Sequence, residues 1–125
     1  MKKFAVAVLI VLVASLLVST SVFANWTGIS GQLEDGKTGT SWTHGGTVFV
    51  FNCSSIGPGL ELGSAAATGT GSFTVSPILN PGTTRFLCIQ VVFNAGPNGT
   101  PGDYWKVLQD VAGNSGTHDA GIFYT

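Results

Sequence analysis

The sequence predicts an all-β protein, a single seven-stranded antiparallel β-sandwich that follows a cleaved N-terminal signal-peptide helix. From Asn25 onward no window places apolar residues at helical spacing, while glycine, threonine and serine interrupt the chain every few residues. Seven short apolar runs with turn signals between them fit two packed sheets better than a closed barrel.

The strands follow one another along the chain after residue 25. The second and fifth are the most apolar, and we expect both in the middle of a sheet. The predicted strands are 26–33, 46–53, 60–66, 72–75, 85–93, 104–111 and 120–124. The predicted core residues are Ile29, Val48, Val50, Phe73, Leu87, Ile89 and Val91.

Residues 1–24 have the organisation of a secretory signal peptide. Two lysines precede an apolar run, a polar break follows at 19–21, and small residues complete a cleavage site. A retained membrane anchor is the alternative, but the polar break favours cleavage between Ala24 and Asn25. The predicted organisation is therefore a signal peptide, 1–24, and one secreted domain, 25–125.

The charge of the chain after cleavage argues against nucleic-acid binding. Two of the five cationic residues leave with the leader, so three cationic side chains remain against six acidic ones, a net charge of −3. A nucleic-acid interface needs a basic face, which this composition does not offer. The lysine-containing leader is typical of a bacterial protein, and the C-terminus carries no anchoring tail. We expect a secreted product with no stable membrane insertion after cleavage.

Two cysteines, Cys53 and Cys88, both lie in the predicted secreted domain. An even number of cysteines in an oxidising compartment is interpreted first as a disulfide. Two buried free thiols or half of a metal site are the alternatives. A metal site would need further Cys or His ligands at short spacing, and these cysteines have none.

The order of the strands resembles that of carboxypeptidase regulatory-like domains, which are prealbumin-like (immunoglobulin-like) β-sandwiches, and more distantly that of collagen-adhesin B-type repeats. The resemblance covers about residues 29–92. It is carried by Ile-Ser-Gly-Gln-Leu-Glu-Asp at 29–35, Gly-Gly-Thr-Val-Phe-Val at 45–50 and Gly-Thr-Gly-Ser-Phe-Thr-Val at 69–75, and by Pro-Gly-Thr at 81–83 before a long apolar strand.

The resemblance implies a non-catalytic module that serves adhesion, spacing or carbohydrate contact on surface or secreted proteins. Two features depart from the family pattern: the connection at 36–44 is longer, and two further strands follow the fifth. The intramolecular Lys–Asn bond of adhesin repeats is not expected here, because Lys37 lies in a turn and Lys106 on a late strand.

Catalysis is not predicted, and no cofactor is implied. The polar candidates are His44, His118 and Asp119, and both histidines are expected in solvated loops. The chain lacks a Gly-x-Ser-x-Gly motif and a phosphate-binding glycine loop, and its length does not allow a deep substrate cleft. A metal site from these three residues would require two loops to meet.

Aromatic residues near predicted strand ends form the candidate ligand platform: Trp42, Tyr104 and Trp105. Flat rings there could stack on a sugar or a peptide, or could instead cap the core. Tyr104 and Trp105 are neighbours on one strand, so one ring is expected on each face of the sheet.

Low charge and exposed sheet edges also allow assembly. The strands at 60–66, 26–33 and 120–125 are candidates for pairing with other copies. The sequence thus predicts a secreted, non-catalytic module with a structural or adhesive role, whose partners are an extracellular glycan or protein, or copies of itself. A carbohydrate-binding module is the alternative.

Overall fold

A computed structural model of the protein describes residues 24–54 and 57–125. These residues form seven β-strands and no helix, which confirms the all-β prediction, and every strand lies within three residues of its predicted bounds. The strands are β1 Gly28–Glu34, β2 Gly46–Ser54, β3 Gly57–Ala66, β4 Ser72–Val75, β5 Arg85–Phe93, β6 Tyr104–Asp110 and β7 Thr117–Tyr124. Apart from Ala24, the predicted signal peptide lies outside the described residues, and so does its predicted helix. No helix able to span a bilayer is found in the described residues.

The strands form two sheets, one in the order β4-β1-β7 and the other in the order β3-β2-β5-β6. β2 and β5 are therefore central, as their apolar sequences predict. The prediction of a wholly antiparallel arrangement is wrong at one pair, because β1 and β7 run parallel. A short hairpin imposes antiparallel pairing. The connection from β6 to β7 instead crosses between the sheets, which leaves the direction of β7 unconstrained by a hairpin.

One apolar core lies between the two sheets and receives side chains from both. All seven predicted core residues are buried. Alternation along β2 and β5 explains the pattern, since successive side chains of a strand point to opposite faces. The core also contains seven residues outside that prediction, which are Leu33, Trp42, Val75, Ile78, Phe93, Ala120 and Phe123.

A disulfide joins Cys53 of β2 to Cys88 of β5, as the sequence predicts. The two strands are neighbours, and the Cα atoms of the two cysteines lie 5.6 Å apart. Cys88 is directly opposite Phe51 in the ladder, so the bridge is diagonal. Both cysteines alternate with core residues, and the disulfide therefore lies on the outer face of the four-stranded sheet.

A buried ion pair organises one end of the molecule. Arg85, at the start of β5, donates from Nε to Oδ2 of Asp110, at the end of β6, over 3.0 Å. The other oxygen of Asp110 accepts hydrogen bonds from the backbone N–H of Trp26 (3.2 Å) and from the side-chain amide of Asn114 (3.1 Å). These bonds tie the segment before β1 to the four-stranded sheet.

Candidate functional site

The outer face of the four-stranded sheet carries a row of three aromatic rings. Val48 and Val50 of β2 point into the core, so Phe49 and Phe51 point outward. The ring centroids of Phe49 and Phe51 lie 6.2 Å apart with an interplanar angle of 27°. Trp105 of β6 continues the row 5.9 Å from Phe51, at 31°. Phe49, Phe51 and Trp105 together form the aromatic row.

Polar side chains flank the aromatic row. Gln90 of β5 is directly opposite Trp105, and its Nε2 donates to Oδ2 of Asp103 over 3.0 Å. Glu61 of the edge strand β3 is opposite Phe51. The rings can therefore stack on an apolar surface of a ligand, while an amide and two carboxylates are placed at their sides for hydrogen bonds.

The face around the row is apolar and exposed. Trp105 is 44% exposed, Phe86 51% and Val107 62%. The outer face of an antiparallel sheet is ordinarily polar, because only the inner face packs on the core. An apolar face that is left in solvent marks a surface for a ligand or a partner.

The structure separates the three residues predicted as a ligand platform. Trp42 is only 7% exposed, and it packs edge-on against Phe93 with its Nε1 donating to the carbonyl of Gly45 over 2.9 Å. It therefore caps the core, which was the alternative interpretation. Tyr104 points to the inner side, where its ring meets Phe123 at 5.4 Å. Of the three, Trp105 alone lies in the aromatic row.

Phe49 and Phe51 were not recognised as candidates from the sequence. The segment 47–51 is apolar on both faces, and that pattern predicts a strand in the middle of a sheet without saying which face is covered. The strand is central within its sheet, yet the second sheet covers only one of its faces. Two phenylalanines at alternate positions were the available signal.

A small cleft opens beside Trp42. It has a volume of about 250 Å³ and lies between the turn that holds Asp35 and Lys37 and the loop at 96–101. The loop is closed by reciprocal backbone hydrogen bonds between Gly96 and Gly99, of 2.8 and 3.1 Å. The cleft is below the usual size of a ligand pocket, roughly 300–1,000 Å³, so the aromatic row is the stronger candidate site.

The structure places the two predicted histidines in different surroundings. His44 is exposed and lies against the ring of Trp42, 4.9 Å between centroids. The prediction that His118 lies in a loop is wrong, because it belongs to β7 and its ring stacks on Trp26 at 3.9 Å. The stacking on Trp26 and the backbone pairing with β1 hold His118 in the strand, so β7 begins at Thr117, three residues before the predicted start. Within 24–54 and 57–125, no three His, Cys, Asp or Glu side chains are grouped closely enough to hold a metal ion.

Comparison with known proteins gives a likeness of fold alone. No protein-family model matches the chain, and no curated protein matches it. Among solved structures, a 9R-lipoxygenase from Cyanothece PCC8801 is similar, with a TM-score of 0.51 and 16% sequence identity. The match covers 84% of this chain and 17% of the lipoxygenase chain. At that identity the arrangement of strands is shared, and the likeness carries no activity over to this chain.

Proposed function

We propose that this protein is a secreted, non-catalytic β-sandwich module with a structural or adhesive role at the cell exterior. The single observation that carries the proposal is the aromatic row, because it lies on an outer sheet face that is otherwise expected to be polar. Exposed aromatic side chains are enriched where proteins bind partners. Phe49, Phe51 and Trp105 are the residues to which we assign binding.

The disulfide supports the exterior location. A bridge between Cys53 and Cys88 persists in an oxidising compartment, whereas cytosolic thiols are kept reduced. Together with the secretory pattern of residues 1–24, it favours a function outside the cell. The prealbumin-like resemblance of residues 29–92 is compatible with such a module and stays a prediction.

A carbohydrate-binding module is the second candidate, and the polar side chains beside Trp105 favour it. Trp105, the most accessible ring of the row at 44% exposed, can stack on the apolar face of a sugar. The amide of Gln90 and the carboxylate of Asp103 lie beside Trp105, where they can bond sugar hydroxyls.

Binding measurements distinguish the two candidates. The oxidised protein, residues 25–125, is applied to a glycan array and to immobilised extracellular-matrix proteins, and its binding to each is measured. We expect Trp105→Ala and Phe51→Ala each to weaken binding by about tenfold or more, the loss typical of a central aromatic contact. Binding to glycans favours the second candidate, and binding to proteins favours the first.

Leu79→Ala is the matched control. Leu79 is a large apolar residue that is 59% exposed, but it lies in the connection between β4 and β5, away from the aromatic row. Its replacement should leave binding unchanged. Equal losses in all three variants, or no binding to either array, would refute the assignment of the row.

A further inference from the structure

The two sheets have four edges, and three of them are shielded against pairing with another chain. An edge strand offers free amide and carbonyl groups, which proteins protect with proline, bulges, short length or charged side chains. β3 contains Pro58 and shifts register twice against β2. β4 has only four residues. β7 shifts register against β1, and its Ala120 carbonyl accepts a hydrogen bond from Nζ of Lys106.

The fourth edge, β6, is neither short nor interrupted by proline or a bulge. Its seven residues pair with β5 without a register shift, and they include neither proline nor glycine. Among the described residues no strand lies on its other side. Its charged side chains are engaged within the molecule, Lys106 with Ala120 and Asp110 with Arg85. The free edge is therefore regular and long enough to pair.

The side chains along β6 add an apolar surface to this edge. Tyr104, Trp105 and Val107 are all exposed, and Val107 has the largest exposed fraction, 62%. A regular edge with exposed apolar side chains is a template for strand addition, in which backbone hydrogen bonds give affinity and side chains give register.

We propose that β6 is a dimer interface, at which two copies of the chain pair antiparallel about Val107 and join their four-stranded sheets into one of eight strands. Val107 is the midpoint of β6, so this register pairs all seven residues. The proposal goes beyond the proposed function, because it requires no ligand on the aromatic row.

Charge favours this register. About Val107, Lys106 of one copy lies opposite Leu108 of the other, and no like charges meet. A shift of one residue would centre the pair on Lys106 and bring two ammonium groups together, which is destabilising across a strand pair. The outer faces stay on the same side of the joined sheet, so both aromatic rows would extend over one continuous surface.

A single added strand pair buries less than the roughly 1,200–2,000 Å² of a standard interface, so the dimer should be weak and concentration-dependent. Sedimentation equilibrium of the oxidised protein, residues 25–125, from micromolar to millimolar concentration would measure it. Val107→Lys places two like charges on the two-fold axis, and like charges that meet at an interface cost more than the roughly 1.4 kcal/mol of a tenfold change, so we expect the dimer Kd to rise by at least about tenfold. Val107→Thr, which is β-branched and neutral, is the matched control and should change the Kd by less than about threefold.

Hydrogen exchange gives an independent measurement. The β6 amides that point away from β5 should be protected at high concentration and exchange on dilution, whereas Val107→Lys should leave them unprotected at both. Phe51→Ala should not alter the Kd, which separates this proposal from ligand binding at the row. A monomer throughout the range, or a dimer whose Kd is the same in Val107→Lys, would overturn it.

Discussion

At the scale of single residues, the Arg85–Asp110 pair shows how the fold accommodates charge in a molecule with few charged side chains. Asp110 is 0% exposed, and its carboxylate accepts hydrogen bonds from Arg85, from the backbone of Trp26 and from Asn114. Desolvation of two charges largely cancels their attraction, so the pair adds little net stability. Removal of one partner is strongly destabilising, because the other charge then stays buried without a charge of opposite sign beside it.

Asp110→Ala should therefore be strongly destabilising. We expect a loss of about 3–5 kcal/mol in the free energy of unfolding, since the guanidinium of Arg85 would stay buried without its carboxylate. Urea unfolding followed by tryptophan fluorescence would measure the change. Asp103→Ala is the matched control, because that carboxylate is exposed and its hydrogen bond, among the residues that the structure describes, is to Gln90, so its loss should cost less than about 1 kcal/mol. Equal effects of the two substitutions would contradict this account.

At the scale of strands, the disulfide stabilises the pairing of β2 with β5, which form the centre of the larger sheet. The cysteines are 35 residues apart in sequence, and β3 and β4 lie between them. A closed loop of that length restricts the unfolded chain considerably, whereas the native strands are already held side by side by their ladder.

We expect the double variant Cys53→Ala/Cys88→Ala to lose about 3–4 kcal/mol of stability on the loop-entropy model, while keeping the same strands. Thermal unfolding followed by circular dichroism would measure both properties. The oxidised and chemically reduced forms of the unaltered protein provide the comparison. A variant as stable as the oxidised protein would show that the bridge contributes nothing to the fold.

At the scale of the whole molecule, a role outside the cell requires that the chain is exported and that its predicted leader is removed. Asn25 is fully buried, and its backbone N–H donates to Oδ1 of Asn80 over 3.0 Å. The carbonyl of Ala24 accepts a hydrogen bond from Gly113 over 2.7 Å. The predicted scissile bond thus lies against the folded domain, and a peptidase would reach it more readily before folding.

Expression in a bacterial host should yield a protein in the medium or periplasm that begins at Asn25, as intact-mass and N-terminal analysis would show. Ala24→Glu should block processing, because a leader peptidase site requires a small residue at that position. Ala24→Gly keeps a small residue and should be processed. A wild-type product of full length that stays in the cell membrane would favour the retained-anchor alternative.

The seven strands, half of the apolar core and the pairing of the two cysteines could be predicted from the sequence. Turn residues and the alternation of apolar side chains are local signals, and they mark strands whatever the strands later contact. The cysteine pairing followed from an even number in a chain predicted to be exported. The binding surface could not be derived in this way, as Trp42 and Phe51 show.

Trp42, a candidate for the exposed ligand platform, is buried and caps the core, whereas Phe51, on a strand expected in the middle of a sheet, contributes to the outer face of that sheet. The segment 26–33 is not the free pairing edge that the sequence predicts, because β1 lies between β4 and β7. By itself, the sequence determined which residues form strands and which side chains alternate. The tertiary structure alone decided which face of β2 is covered, which strands are edges and that β1 and β7 run parallel. Exposure depends on what a distant segment packs against, and no local pattern contains that information.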